Sequence, residues 1–126
     1  RCAAGRLYVL ADASGVYTPD GWAQRAAVLA QHFGAAYIVG EVNEGGDLLA
    51  RVLQSAAPHL VFKAVRAVKG KLARAVPVAA LYEQGRVHHV GAFNTLEDQM
   101  CQFTLAGYAP VSGGNKSPDR VDALVW

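Results

Sequence analysis

Three carboxylates stand at places in the sequence where the chain could hold a divalent metal ion. Glu41 follows an apolar segment, and Asp119 and Asp122 lie three residues apart at a predicted helix start. A carboxylate beside a buried strand is costly unless a positive partner holds it, and a divalent metal is one such partner. Magnesium prefers a few carboxylates plus waters, and paired ions can clamp both oxygens of a phosphodiester displacement. These residue types therefore point to metal-assisted phosphodiester chemistry.

Each of these acids also has a structural interpretation. Glu41 could accept a hydrogen bond from the start of the following helix or join a salt bridge, because perturbed carboxylates are not confined to functional sites. Asp119 in a first helical turn stabilises the helix dipole. Asp122 precedes the apolar run 123–126, which puts it at the edge of the core and favours the metal role there. Asp12 also ends a predicted strand and is interpreted as turn chemistry.

A run of cations without an acid lies in the middle of the chain, within residues 63–74. Its members are Lys63, Arg66, Lys69, Lys71 and Arg74. Such a cluster can neutralise phosphates, and a solvated loop is an equally weighted alternative. The net charge of +2 is too small to indicate a nucleic-acid binder without this local pattern. Gly70-Lys71 lacks the flanking residues of a Walker motif, so no ATPase site is predicted.

The other reactive side chains exclude more than they suggest. His88 and His89 should point to opposite faces of a strand, so they do not share one metal easily. The serines have no histidine at a spacing that suggests a serine hydrolase. Cys2 and Cys101 lack metal-type spacing, which predicts free thiols in a reduced, cytoplasmic protein. No uninterrupted apolar stretch of about 18 residues occurs, so no membrane partner is predicted.

The elements that must position these residues alternate between strands and helices in the first half of the chain. Thr18 and Pro19 supply a helix cap and a first helical proline. The predicted strands are 7–10, 37–41 and 60–65, and the predicted helices are 19–33 and 48–56. This rhythm predicts one α/β sheet with 37–41 as a buried parallel strand covered on both faces.

The second half of the chain continues with three helices and one short strand. A helix over 72–84 is predicted to bend or restart at Pro77. A short edge strand follows at 86–90. Asn94 or Thr95 is predicted to cap the next helix. A glycine-containing loop is predicted at 111–116. The last helix should then begin at Ser117-Pro118-Asp119, with the serine hydroxyl as the cap and the proline as the first helical residue.

Five segments in this order resemble the C-terminal nuclease domain of the large terminase subunits of phages and prophages. The segments are 38–46, 69–79, 81–87, 96–100 and 117–126. The resemblance implies an RNase H-like α/β fold, a mixed sheet flanked by helices. It also implies a metal-dependent endonuclease that cuts double-stranded concatemeric viral DNA with two ions of Mg²⁺ or Mn²⁺.

The resemblance assigns roles to particular residues. Glu41 matches a catalytic metal ligand, with Asn43 in place after it. Asp122 matches the metal-binding acid at the start of the final helix, and Asp119 is a catalytic neighbour that assists it. The resemblance gives Lys71 and Arg74 a DNA-facing role, and Lys69 of the same basic run is predicted to bind DNA with them.

The resemblance also predicts how this chain relates to a larger protein. Residues 1–126 are expected to form a single nuclease-like domain, truncated at both ends relative to the family. The first family strand with its aspartate is expected to be missing, so cutting is expected of the intact protein. The implied partners are double-stranded DNA, an ATPase motor domain on the same parent chain, the small terminase subunit and the portal, in the cytoplasm of a bacterial host.

Two alternatives stay open at this point. Another RNase H-like nuclease, of the resolvase or transposase type, would share the fold, and an ATPase domain upstream in the intact protein would favour the terminase. A non-catalytic α/β module would hold DNA or a protein through residues 63–74. In that module Glu41 and Asp122 would lie apart and bind no metal.

Overall fold

The computed structural model describes residues 5–42, 47–104, 106–110 and 117–126. These residues form a mixed α/β structure of helices and short sheets. In chain order the elements are β1 (Leu7–Val9), α1 (Pro19–His32), β2 (Tyr37–Glu41), α2 (Asp47–Ala56), β3 (Val61–Val65), α3 (Lys71–Glu83), β4 (Val87–His89), α4 (Asn94–Gln102), β5 (Phe103–Thr104), β6 (Gly107–Tyr108) and α5 (Asp119–Leu124).

The chain divides into two compact units. The terminal unit comprises residues 1–14 and 69–126, and the middle unit comprises residues 15–68. The single domain predicted over 1–126 stays a prediction. Among the described residues, no helix has both the length and the apolar character needed to cross a membrane.

Helix α1 of the middle unit begins and ends as its sequence predicts. The Thr18 hydroxyl oxygen accepts a hydrogen bond from the Gly21 N–H at 3.2 Å, and Pro19 is the first helical residue. Pro19 loses nothing there because the first helical N–H groups have no partner within the helix. After the helix, Gly34 adopts a φ of +60°, a left-handed conformation that favours glycine.

A parallel pair of strands forms the sheet of the middle unit. β2 and β3 run in register from the pair Tyr37 and Val61 onward. Gly40 and Phe62 show how closely these strands pack, because a β carbon on Gly40 would lie 2.7 Å from the Phe62 ring. α2 packs against β3 and against α1, and its Leu53 is buried.

The other face of this sheet is exposed, so the prediction that β2 is covered on both faces is wrong. Tyr37 is 46% exposed and Val39 is 37% exposed. Among the described residues, β3 is the one partner of β2. A sheet of two strands with helices on one face leaves alternate side chains in water.

The prediction of one sheet shared by 7–10, 37–41 and 60–65 is also not what the described residues show. They form three two-stranded sheets, in which β1 pairs with β4, β2 with β3 and β5 with β6. The strands themselves lie close to their predicted positions. Hydrophobic patterning identifies a strand but carries no information about which other strand it joins, so the pairing was the weaker part of the prediction.

The terminal unit packs three helices around the parallel pair β1 and β4. Leu7 pairs with Val87 at the start of this register. α3 packs on β4, and α5 packs on α3 and α4. The buried apolar residues include Leu96 from α4 and Val121 from α5. This packing places the first turn of α5 beside the first turn of α3.

Helix α3 is continuous through Pro77, so it does not restart there, and the alternative of a bend at Pro77 stays a prediction. Pro77 has no N–H to donate to the carbonyl of Ala73, four residues earlier. Both residues are exposed, and water can therefore hydrate that carbonyl. The exposed position makes the proline tolerable inside the helix.

The predicted N-terminal caps of the last two helices, α4 and α5, are wrong in detail. Phe93, not Asn94 or Thr95, precedes α4, and its N–H donates to the Glu97 carboxylate at 3.1 Å. Pro118 precedes α5, with no side-chain cap. The Ser117 hydroxyl instead contacts charged side chains, because stronger partners lie within its reach.

Several predictions fall on residues outside those described. They concern Asn43, Cys2 and the loop at 111–116. The second cysteine, Cys101, is a free and exposed thiol.

Candidate functional site

A buried ion pair in the terminal unit joins two of the residues that the sequence singled out. Arg74 Nη2 lies 2.6 Å from Asp122 Oδ1, and the two side chains are 10% and 15% exposed. The Arg74 guanidinium also lies over the Trp126 ring, 4.6 Å from its centroid. Charge and stacking together hold the guanidinium in place, so Asp122 has a fixed cationic neighbour.

Lys71 adds a second cation to the same group of acids. Its ammonium lies 3.4 Å from Asp122 Oδ2 and 3.6 Å from Asp119 Oδ1. It also donates a hydrogen bond to the Ser117 hydroxyl at 2.7 Å. The Ser117 hydroxyl in turn donates to Asp119 Oδ1. One ammonium is therefore surrounded by oxygens from two carboxylates and a hydroxyl.

This arrangement follows from the first turns of α3 and α5. Lys71 and Arg74 are three residues apart on α3, so they share a face of that helix. Asp119 and Asp122 share a face of α5 by the same spacing. Packing α5 against α3 brings the two faces together. We call the four side chains Lys71, Arg74, Asp119 and Asp122 the ion-pair cluster.

A second ion pair fixes the start of α5 from the other side. Arg120 Nε donates to Asp12 Oδ2 at 2.8 Å, and its backbone N–H donates to the buried Gln99 side chain at 3.0 Å. Asp12 Oδ1 accepts from the Ser14 N–H, which confirms the predicted turn role of Asp12. Burial raises the pKa of Asp12, but hydrogen bonds from Ser14 and the Arg120 charge outweigh it and hold that pKa below its usual 3.8.

Glu41 is placed by the middle unit. It is the last residue of β2, where it pairs in register with Val65. Its side chain is half-buried and has interactions within the protein. The predicted convergence of Glu41 with Asp122 stays a prediction.

The comparison with protein families extends over both units. A family model described as a terminase RNaseH-like domain matches residues 4–126. The chain belongs to the terminase RNaseH-like domain family. The resemblance found from the five sequence segments is thereby confirmed. No curated protein matches the chain.

The ion-pair cluster of this terminase RNaseH-like domain offers a partial fit to a metal ion. The Lys71 ammonium stands where two carboxylates and a hydroxyl converge, which is a position suited to a cation. Mg²⁺ is usually held through one or two carboxylates and keeps several waters. No group of three or more His, Cys, Asp or Glu arranged for a metal occurs among the described residues. Asp119 and Asp122 by themselves supply two carboxylates, fewer than such a group contains, so a metal site here would need further ligands.

Sequence reasoning missed a hydrogen-bonded chain in the terminase domain. Tyr82 Oη lies 2.7 Å from His89 Nε2, and His89 Nδ1 lies 2.8 Å from Glu97 Oε1. The His89 hydrogen bond lowers the pKa of Glu97, and burial raises the pKa of Tyr82. This chain ties α3, β4 and α4 together. The spacing of these residues carried no signal, because the contacts depend on tertiary packing.

Proposed function

We propose that the intact protein is the metal-dependent endonuclease of a DNA-packaging terminase. The observation that carries this proposal is the convergence of Asp119, Asp122 and Ser117 on one cation position in a terminase RNaseH-like domain. Glu41 and Asp122 are the proposed metal ligands, with Asp119 assisting. A divalent ion bound there would polarise the phosphate and lower the pKa of an attacking water.

Arg74 is the proposed positioning residue for Asp122. Its guanidinium is stacked on Trp126 and paired with Asp122 in a largely buried position. A largely buried carboxylate is costly unless a positive partner compensates its charge. Arg74 provides that charge and holds Asp122 Oδ1, which leaves Oδ2 turned to Lys71.

Lys71 is proposed to exchange partners when the site binds metal and DNA. Its side chain is 40% exposed, and its contacts to the acids are longer than that of Arg74. A cation that replaces the ammonium between Asp119 and Asp122 releases Lys71 toward a phosphate. Lys69 is exposed two residues earlier and is proposed to contact the DNA backbone as well. Arg74 is the least accessible of the three proposed DNA-binding residues.

The wider assignment follows from the family. Concatemeric viral DNA is the proposed substrate, in the cytoplasm of a bacterial host. The ATPase motor domain, the small terminase subunit and the portal are the proposed partners. Mg²⁺ or Mn²⁺, with two ions in the active state, is the proposed cofactor.

The proposal is tested by DNA cleavage with the intact protein in Mg²⁺, in Mn²⁺ and in excess chelator. We expect cutting only with the metals, and we expect Glu41→Gln to abolish it. Glu83→Gln, at the exposed end of α3, is the matched control because it removes the same charge elsewhere. Circular dichroism should show that both variants fold. Normal cutting by Glu41→Gln, or cutting in chelator, contradicts the proposal, and DNA binding without any cutting favours the non-catalytic module.

A further inference from the structure

The exposed face of the middle-unit sheet carries an aromatic ring and a cation beside the proposed cutting residue. Tyr37, Val39 and Glu41 alternate along β2, so their side chains lie on the same face of the sheet. Lys63 is the register partner of Val39 on β3. Its ammonium lies 3.6 Å from the centroid of the Tyr37 ring. We call Tyr37, Val39 and Lys63 the open sheet face.

The stretch of sequence that contains β3 carries charge of one sign, and Glu41 is an acid on the same face of β2. From Leu48 through Tyr82 the sequence contains no acid and six cations, which are Arg51, Lys63, Arg66, Lys69, Lys71 and Arg74. Of these, Lys63 projects from the sheet beside an exposed aromatic ring. This combination complements a partner that offers negative charge together with flat apolar surface. A nucleotide offers both, since its base can stack on the ring and its phosphate can pair with the ammonium.

We propose that the open sheet face binds one unpaired DNA strand next to the cut: the Lys63 ammonium turns from the Tyr37 ring to a phosphate, and a base stacks on the ring in its place. This inference rests on the proposed function, because it takes Glu41 as the cutting residue. Four residues of strand separate Tyr37 from Glu41, or about 13 Å. That length corresponds to about four stacked nucleotides. The face therefore contacts the strand close to the phosphate that is cut.

The partner is an unpaired strand because a duplex does not present the faces of its bases. In a continuous duplex each base stacks on its neighbours, and its faces are covered. A frayed or nicked end frees a base to stack on an aromatic side chain, which is the usual mode of single-strand binding. The open sheet face thus favours DNA whose strands have separated near the cutting residue.

The test is a binding titration with the intact protein in chelator, where no cutting occurs. A fluorescent single-stranded oligonucleotide and a blunt duplex of the same sequence are compared by anisotropy. Tyr37→Leu removes the ring and should weaken single-strand binding about tenfold, within the roughly 5- to 150-fold range of base stacking. Tyr37→Phe keeps the ring and should bind like the wild type. Lys63→Met should lower the slope of log affinity against log salt by about 0.7.

Three results would overturn the inference. Tyr37→Leu could bind the single strand like the wild type, it could lose affinity for the blunt duplex to the same extent, or it could change only the self-association of the protein. Because the titration needs no metal, it is separate from the cleavage test with Glu41→Gln. Normal cutting by Glu41→Gln removes the link to the cut, whereas unchanged binding by Tyr37→Leu removes the surface and leaves the nuclease assignment intact.

Discussion

Replacing Lys71 with methionine should make the ion-pair cluster bind a divalent metal more tightly. The Lys71 ammonium now lies between Asp119 and Asp122, at 3.6 and 3.4 Å from their oxygens. A metal ion that binds these carboxylates must displace it. Methionine keeps the length and apolar stem of lysine without the charge, so the carboxylates lose the competing cation.

The distances and the exposure set the size of this effect. Each contact is worth about 1.2 kcal/mol in bulk water and about four times more at an effective dielectric constant of about 20. Lys71 and Asp119 are 40% and 63% exposed, which favours the lower value. Exposed pairs commonly contribute only about 0 to 1 kcal/mol. We therefore expect about 1 to 2 kcal/mol in total, or roughly five- to thirtyfold tighter metal binding.

The assay is a titration of the intact protein with Mn²⁺, followed by the electron paramagnetic resonance of the free ion. Lys69→Met is the matched control, because it removes the same charge from an exposed lysine outside the ion-pair cluster. The control should change the affinity by much less. If Lys71→Met binds Mn²⁺ no more tightly than Lys69→Met, the ammonium does not stand in for a metal and the reasoning fails.

Three further outcomes are expected. Lys69→Ala should reduce the slope of log affinity for duplex DNA against log salt by about 0.9, and an unchanged slope would remove Lys69 from the binding surface. Arg74→Met should lower the free energy of unfolding, measured by urea denaturation, by about 2 to 4 kcal/mol. This is near the lower end of the usual cost of breaking a buried ion pair, because Lys71 still faces Asp122. Adding Asp122→Asn should restore part of that loss, and full additivity would argue against the pair. Asp12→Asn should make the free energy of unfolding depend less on pH in acid. The folded-state pKa of Asp12 lies below the usual 3.8, so its contribution to stability is present above pH 3.8 and is lost as the pH falls through the folded-state pKa.

Local signals in the sequence predicted the elements well. Thr18 and Pro19 marked the start of α1, and the apolar run at 37–41 became β2 with the predicted bounds. These successes depend on capping and on apolar runs, which act within a few residues. Strand pairing was not predicted, because it depends on which strands meet in the folded chain.

The candidate site was predicted only as a set of residues. Asp119, Asp122, Lys71 and Arg74 were all selected from the sequence, but as metal ligands and DNA contacts with separate roles. The structure joins them in one ion-pair cluster. No local pattern announces that α5 packs beside α3, so the neutralisation of the acids by the cations could not be foreseen. The exposure of Tyr37 beside Lys63 was not predicted either, because the sequence does not say which face of β2 is left uncovered.

The most direct test of the nuclease assignment is the single-turnover cleavage rate of Asp122→Asn in the intact protein with saturating Mg²⁺. Asparagine keeps the shape of Asp122 and removes the charge that would hold the metal. Asp20→Asn, an exposed acid in the first turn of α1, is the control. The account predicts that Asp122→Asn folds and binds DNA but does not cut, while Asp20→Asn cuts normally. Cutting by Asp122→Asn at the wild-type rate would contradict it.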